Sequence, residues 1–181
     1  MDNQIIIVCD NKGIPTGEYI PKSEGISGEG KHHLAITVLL ENKEGKVLLQ
    51  KRKHLVFDNL WDFTGSTDST HFEDGRNETF EEATKRCLKR EYGIDQIGNL
   101  KNLGGFNYFA KDNSHCENEY CAMMIGEYDG EVNMNPSVGY EYKWVEKAEF
   151  LEDVEKNPKK YVPWVIEGVK ILAERIECNC C

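Results

Sequence analysis

Residues 71–94, HFEDGRNETFEEATKRCLKREYGI, decide the fold of this 181-residue chain. Within them, residues 78–92 contain neither proline nor glycine and are rich in glutamate, lysine, arginine and alanine, which are good helix formers. Asn77 is suited to cap the first turn, and Gly93 follows the last turn as a C-cap. The segment therefore predicts a helix, with a buried face formed by Phe80, Ala83, Cys87 and Leu88.

Acidic side chains are concentrated on this helix. Glu78 and Glu82 lie one turn apart, and Glu91 lies on the last turn. Carboxylates gathered on one helix suit Mg²⁺, because this hard ion prefers oxygen ligands and commonly bridges to substrate phosphates. The alternative is a solvent-exposed acidic helix stabilised by pairs four residues apart, such as Glu82 with Arg86.

The same segment resembles the Nudix box, R-E-U-x-E-E-x-G-U, where U is aliphatic. Residues 86–94, RCLKREYGI, fall on this pattern. The match keeps Glu78 upstream, Arg86, Leu88, Glu91, Gly93 and Ile94. Cys87 and Arg90 stand where the pattern has glutamates, so the box is degenerate. This spacing favours metal binding over the solvent-exposed helix, and Cys87 is interpreted as a small buried residue.

The resemblance extends along nearly the whole chain, to the Nudix branch that contains type I isopentenyl-diphosphate isomerase and its hydrolase relatives. Its landmarks include residues 7–18, IVCDNKGIPTGE, residues 48–52, LLQKR, and residues 117–121, ENEYC. The resemblance implies an α+β fold in which a mixed β-sheet is sandwiched between helices. We expect a single domain over residues 1–181, with an N-terminal strand and loop (1–32), the degenerate box (71–94) and a cysteine-rich tail (178–181).

Local patterns predict several individual elements. Residues 5–9 form a strand, and residues 34–41 and 46–51 form a β-hairpin around the turn at residues 42–45. Pro163 suits the first turn of a final helix.

The resemblance also implies chemistry at an organic diphosphate whose phosphates are held by Mg²⁺ or Mn²⁺. The box ligands would be Glu78, Glu82 and Glu91. A second divalent ion would be bound by His33, His71, Glu117 and Glu119. The two last residues lie two apart on a strand, so their side chains share one face. Glu119 is the expected general base, and Glu117 is the second expected catalytic residue.

The expected substrate-binding residues are Arg52, Lys53, Arg86 and Trp164. Purely structural roles stay open for these residues. A histidine before a strand is commonly capped or solvated, and Trp164 fits an ordinary core position equally well. Two departures from the isomerases also matter. Ser69 stands near the place of a proton-transferring cysteine, and Ile26 stands near the place of an additional histidine.

Three functions follow from this pattern. A metal-dependent Nudix hydrolase that cleaves a diphosphate linkage is the first choice. An isopentenyl-diphosphate isomerase is the second, although the cysteine and one histidine are missing. A binding module that keeps the diphosphate pocket without catalysis is the third.

Composition limits the partners. The formal net charge of −10 argues against nonspecific binding to nucleic acid or to anionic membranes. No run approaches the roughly 20 apolar residues of a membrane span. Seven cysteines, an odd number, imply no disulfide framework, so the expected compartment is the cytoplasm. We expect a small-molecule diphosphate as substrate, and a homodimer is compatible with the resemblance. For residues 178–181 a disordered, redox-labile tail is favoured over a prenylation signal or a soft-metal clip.

Overall fold

Strand β3 (His33–Glu41) is the centre of the sheet in the computed structural model, which describes the backbone of residues 4–178 and the side chains of residues 4–173. All residues of β3 except Glu41 are buried. On one side β3 pairs in parallel with β8 (His115–Glu127), and on the other it pairs antiparallel with β6 (Gly65–Asp68). A strand enclosed on both faces needs a continuous apolar run, which the segment LAITVLL supplies.

The remaining strands extend this core in two directions. They are β1 (Ile5–Cys9), β2 (Pro15–Pro21), β4 (Lys46–Arg52), β5 (Trp61–Asp62), β7 (Gly98–Asp112) and β9 (Gly139–Glu146). Strands β1 and β2 form an antiparallel pair that joins β3 through Val8 and His33. Strands β7 and β8 form a long hairpin, and β4 pairs with β9 and β5. The sheet therefore mixes parallel and antiparallel pairs.

Helices cover both faces of this sheet. They are α1 (Lys22–Gly25), α2 (Phe80–Tyr92), α3 (Lys147–Lys156) and α4 (Pro163–Cys178), with a 3₁₀ turn at Pro158–Lys160. Helix α2 packs Ala83, Cys87 and Leu88 against Ile36, Val38 and Leu40. The opposite face packs Leu39, Leu49 and Met123 against Trp164 and Val165 of α4. This confirms the predicted α+β fold with a mixed sheet between helices, because alternate residues of β3 face opposite helices.

The described part of the chain contains no helix with the length and apolar character that crossing a bilayer requires. The predicted cysteine-rich tail begins at the end of α4, and its remaining residues, 179–181, lie outside the described residues.

The predicted hairpin formed by β3 and β4 is present only at its turn. Asn42 accepts hydrogen bonds from the backbone N–H groups of Glu44 and Lys46, and Gly45 adopts a positive φ of 78°. Beyond the turn, β3 and β4 pair only through Glu41 and Val47. The strands diverge because β8 and β6 occupy the edges of β3, while β9 and β5 pair with β4.

The box helix α2 begins later than predicted. Its N-cap is Thr79, not Asn77. Thr79 Oγ1 accepts from the backbone N–H of Glu82 (3.2 Å), and Glu82 Oε2 accepts from the backbone N–H of Thr79 (2.9 Å). This reciprocal cap satisfies two donors at once, which a cap at Asn77 would not do. The predicted C-cap is confirmed, because Gly93 adopts the left-handed conformation with φ 69°.

We expect Thr79→Ala to lower the free energy of unfolding by about 1 kcal/mol, since it removes the side-chain acceptor of the cap. Urea unfolding followed by circular dichroism measures this difference. Ser114→Ala, in the exposed turn between β7 and β8, is the matched control and should change the value by less than about 0.5 kcal/mol. Identical unfolding curves for Thr79→Ala and the unmodified protein would contradict a stabilising cap.

Candidate functional site

Three strands bring one histidine and three carboxylates together. His33 is the first residue of β3 and lies in register with Glu119 of the parallel strand β8. Glu117 lies two residues earlier on β8 and shares the face of Glu119. Asp68 ends β6 on the other side of β3. One ligand atom from each residue lies within 4.8 Å of the others, and we call these four residues the His33 cluster.

A backbone carbonyl two residues earlier in the chain fixes the orientation of the His33 ring. Nδ1 lies 2.6 Å from the carbonyl oxygen of Lys31 and must donate to it, because a carbonyl only accepts. Nε2 therefore faces the carboxylates, 3.4 Å from Asp68 Oδ1 and 3.6 Å from Glu119 Oε1, with no hydrogen bond to either. A backbone carbonyl that fixes the ring while the other nitrogen stays available is the usual support of a metal-binding histidine.

Burial and charge both act on the carboxylates. Burial raises the pKa of Glu117 well above its usual range, and Glu119 and Asp68 add to this effect. Burial also opposes ionisation of Asp68, but Lys22 and His33 outweigh it and hold the Asp68 pKa well below its usual range. Lys22 Nζ lies 2.7 Å from Asp68 Oδ2. The surroundings therefore favour the protonated form of Glu117 and the ionised form of Asp68.

The imidazole responds to the same field. Burial lowers the pKa of His33, but Asp68 and Glu119 outweigh this effect and raise it well above the ordinary value. The cluster thus attracts positive charge, carried either by a proton on His33 or by a bound cation.

A divalent ion fits these residues. Glu117 Oε2 and His33 Nε2 are buried polar atoms without a hydrogen-bond partner, which is costly unless a ligand satisfies them. Carboxylates with an imidazole form a donor set for Mg²⁺, Mn²⁺ or a similar ion. Within residues 4–173, no other group of three or more His, Cys, Asp or Glu side chains has this geometry.

A cavity of about 220 Å³ opens beside the His33 cluster. Its wall also contains Lys22, Arg52 and Arg90, so acidic and basic groups share one space. Tyr108 donates its hydroxyl hydrogen to Glu119 Oε2 at 2.6 Å. Burial, together with the charge of Glu119, raises the pKa of Tyr108 well above its usual range, so the phenol stays protonated.

Two of the predicted substrate-binding residues, Arg52 and Trp164, line this cavity. The Arg52 guanidinium lies 4.7 Å from the Trp164 ring centroid and donates to Asp62 Oδ2 at 2.8 Å. The Trp164 indole N–H lies 2.7 Å from Asp62 Oδ1 and 2.9 Å from Ser66 Oγ. The fully buried Asp62 therefore fixes both side chains in the wall.

A larger, apolar cavity of about 660 Å³ adjoins the first and shares Lys22, Arg52, His54 and Glu117 with it. Ile26, which stands where the isomerase pattern led us to expect a histidine, lines this space. An apolar side chain therefore forms this part of the cavity wall.

The predicted box ligands do not converge on a metal site. Glu78 is buried and is bound on both oxygens by Arg86, at 2.7 and 2.8 Å, and by the backbone N–H of Thr70. Glu82 belongs to the helix cap and also binds Arg76. Glu91 is nearly fully buried and accepts from Arg90 (2.6 Å) and Gln50 (2.9 Å). Protein donors therefore engage all three expected box ligands, and metal binding by them stays a prediction.

Three further predicted site residues do not line the cavity beside the His33 cluster. His71 stacks on Tyr19 with ring centroids 3.6 Å apart, since its backbone N–H is tied to Ile5 of β1, and it lies outside the His33 cluster. Lys53 donates to the carbonyl of Pro136 and does not line the cavity. The guanidinium of Arg86 donates hydrogen bonds to Glu78 and to the backbone carbonyl of Asp68.

Asp68, Tyr108 and Lys22 are site residues that the sequence interpretation missed. Asp68 and Tyr108 reach the site only through strand pairing, which places Asp68 opposite Ala35 and Tyr108 opposite Glu119. Residues 66–68, STD, are all polar, so no apolar alternation predicted a strand that ends at a site residue. Cys87 is fully buried against β6, which agrees with its interpretation as a small core residue.

Comparison with known proteins supports this description. The profile of the NUDIX domain matches residues 31–165. The isopentenyl-diphosphate Delta-isomerase of Nocardia farcinica is 32% identical over 155 residues, which cover 83% of this chain and 85% of that protein. The isopentenyl-diphosphate Delta-isomerase 2 of Aromatoleum aromaticum is 29% identical over 170 residues, covering 91% of this chain and 84% of that protein.

Solved structures share the fold at lower identity. A Deinococcus radiodurans protein superposes with a TM-score of 0.65 at 16% identity, covering 85% of this chain and 90% of that one. A MutT protein from Methanosarcina mazei superposes with a TM-score of 0.61 at 19% identity, covering 82% and 99%. The profile match spans most of the chain and includes the box helix and the sheet that carries the His33 cluster, and this protein therefore belongs to the Nudix family.

Proposed function

We propose that this protein is a divalent-metal-dependent hydrolase that cleaves a diphosphate linkage in a small organic molecule. The observation that carries the proposal is that three carboxylates of the His33 cluster and three basic side chains line a single cavity: Asp68, Glu117 and Glu119 with Lys22, Arg52 and Arg90. A diphosphate coordinated to a metal needs both kinds of group within one small space. The adjoining apolar cavity offers room for the organic part of the substrate.

The metal would be held by His33, Asp68 and Glu119, with Glu117 of the same cluster left beside the ion to act on a coordinated water. When bound, such an ion polarises a phosphoryl oxygen and lowers the pKa of a coordinated water. The basic side chains orient the phosphates, and Arg52 is fixed for this purpose by Asp62. Tyr108 holds Glu119 through one oxygen, which orients the carboxylate without neutralising it.

Among the two expected catalytic glutamates, Glu117 is the better general base. Its Oε2 has no hydrogen-bond partner, whereas Glu119 Oε2 is engaged by Tyr108. Burial raises the pKa of Glu117, which brings a carboxylate closer to the range in which it can take a proton from water near neutral pH. The proton of the attacking water is therefore assigned to Glu117.

The second candidate is isomerisation of an isoprenoid diphosphate. Two relatives carry the isomerase name at 29% and 32% identity, and the Tyr108–Glu119 pair next to Trp164 is suited to proton transfer at an alkene. Isomerisation needs an acid and a base on opposite faces of the substrate. Ser69 is fully buried and does not line the cavity, so it offers no second group. A binding module without turnover is the third candidate.

Metal binding tests the centre itself. We expect His33→Ala to weaken Mn²⁺ binding by at least about 100-fold, because the buried carboxylates lose the imidazole that completes the donor set. Isothermal titration calorimetry measures the affinity. His71→Ala is the matched control and should leave it unchanged, because His71 is engaged by Tyr19 and Asn77. Equal losses in the two variants would rule out the His33 cluster as the metal site.

Turnover distinguishes the three functions. We expect a ³¹P NMR time course with Mg²⁺ and a panel of organic diphosphates to show new phosphate or monophosphate signals. Glu117→Gln should reduce the rate by roughly 10²–10⁴-fold with substrate affinity retained, as expected for loss of a general base. Glu73→Gln, an exposed change of the same kind, is the control.

The alternatives give different spectra. An intact diphosphate with a shifted alkene signal in the proton spectrum would replace hydrolysis by isomerisation. Binding of the diphosphate with no change in either spectrum would leave the binding module as the function.

A further inference from the structure

Helix α2 carries a cation at the point where the Nudix pattern has a metal-binding glutamate. Arg90 Nη2 lies 2.6 Å from Glu91 Oε1. The second oxygen of Glu91 accepts from Gln50 Nε2 at 2.9 Å. Both oxygens of this buried carboxylate are therefore engaged by protein donors, and one of the donors carries a full positive charge.

A metal ion would have to displace that guanidinium. A charge-assisted bond of this length is among the stronger hydrogen bonds in proteins, and a cation beside the carboxylate repels a second cation. Glu78, the other buried carboxylate of the box, is saturated in the same way by Arg86 and the backbone of Thr70. Arg86 and Arg90 therefore oppose the binding of a metal ion to the box carboxylates Glu78 and Glu91.

The Arg90 side chain remains accessible from the cavity although it is paired with Glu91. Arg90 lines the same cavity as the three carboxylates of the His33 cluster, and its side chain is 39% exposed. A guanidinium has five N–H donors. The contacts to Glu91, Thr67 and Cys87 leave donors free to face the cavity.

A second observation marks this wall as a site for an anion. His54 lines the cavity together with Lys22, Arg52 and Arg90, and its buried Nε2 has no hydrogen-bond partner. Burial lowers the pKa of His54 to about 3, and Arg52, Arg90 and Lys22 contribute to this shift. Three cationic side chains and a buried polar atom without a hydrogen-bond partner therefore line the same cavity.

We propose that Arg90 replaces the metal ion of the Nudix box: its guanidinium, oriented by Glu91, contacts a phosphate group of the ligand directly. Arg90 in this ion pair presents positive charge to a phosphate from the helix α2 side of the cavity, as a metal ion bound to the box would. A metal ion at this site would then be held by the His33 cluster and not by the box. The identity of the anion as an organic diphosphate rests on the proposed function, whereas the replacement of the box metal does not.

The first test measures binding of inorganic pyrophosphate in the presence of EDTA. We expect measurable affinity without any divalent ion, and a loss of about 10–100-fold in Arg90→Gln, the range for a hydrogen bond to a charged group. Lys89→Gln removes the same charge from the neighbouring, exposed position and should leave the affinity unchanged. Equal affinities for Arg90→Gln and the unmodified protein would overturn the proposal.

Arg90→Gln leaves Glu91 buried without its cation, and this variant can fail to fold. The double variant Arg90→Gln/Glu91→Gln removes both charges together and avoids that problem. If the ion pair only stabilises the fold, the double variant keeps its pyrophosphate affinity, and the proposal fails. If Arg90 binds the anion, the affinity falls as in the single variant.

The second test restores the box. We expect Arg90→Glu to create a second class of Mn²⁺ site next to Glu91, detected by electron paramagnetic resonance of free Mn²⁺ and retained when His33→Ala is added. The unmodified protein should show one class of site, which His33→Ala removes. A Mn²⁺ site that survives His33→Ala without the Arg90 change would mean that the box still binds metal, and would overturn the proposal. Arg90-dependent pyrophosphate binding in a protein that hydrolyses no diphosphate would overturn the proposed hydrolase alone.

Discussion

The parallel pairing of β3 with β8 is the constraint on which the site depends. It sets His33 opposite Glu119, and the antiparallel pairing of β3 with β6 brings Asp68 to the same end of the sheet. Side chains alternate along a strand, so a slip of one residue would send His33 to one face and the glutamates to the other. The register is fixed by the core, because Ile36, Val38 and Leu40 must meet helix α2 while Leu39 meets α4. Packing of apolar residues therefore positions the polar ones.

The cavity combines two charged walls that would each be unfavourable alone. Burying a carboxylate cluster or a group of cations costs desolvation energy that mutual attraction recovers only when geometry is good. Here several pairs recover part of it, including Lys22 with Asp68 and Arg52 with Asp62. Glu117 and His54 keep buried atoms without partners, one on each wall. A metal bound to the acidic wall and a phosphate bound to the basic wall would satisfy both atoms at once, which is the physical reason to connect this geometry with a metal-bound diphosphate.

Local features of the sequence were sufficient for some of these elements and insufficient for others. Helix α2 and its C-cap at Gly93 followed from residue spacing, since both depend on neighbours within one turn. The cap at Thr79 was missed because Asn77 is an equally good N-cap by type, and its engagement with His71 is visible only in the folded chain. His33 and the two glutamates of β8 were identified by resemblance, and the structure brings them together. Asp68 and Tyr108 were not found, because strand register joins segments that lie far apart in the chain.

The degenerate box shows how a helix can be kept while its ancestral role changes. Gly65 of β6 lies so close to α2 that an added Cβ would come within 2.9 Å of Cys87 Sγ. Position 65 therefore needs glycine for β6 to pack this closely on α2, with the small side chain of Cys87 at the contact. The remaining box carboxylates now serve the fold: Glu82 caps the helix, Glu78 binds Arg86, and Arg86 in turn holds the carbonyl of Asp68. Through that last contact the box helix positions the end of β6, where Asp68 joins the His33 cluster.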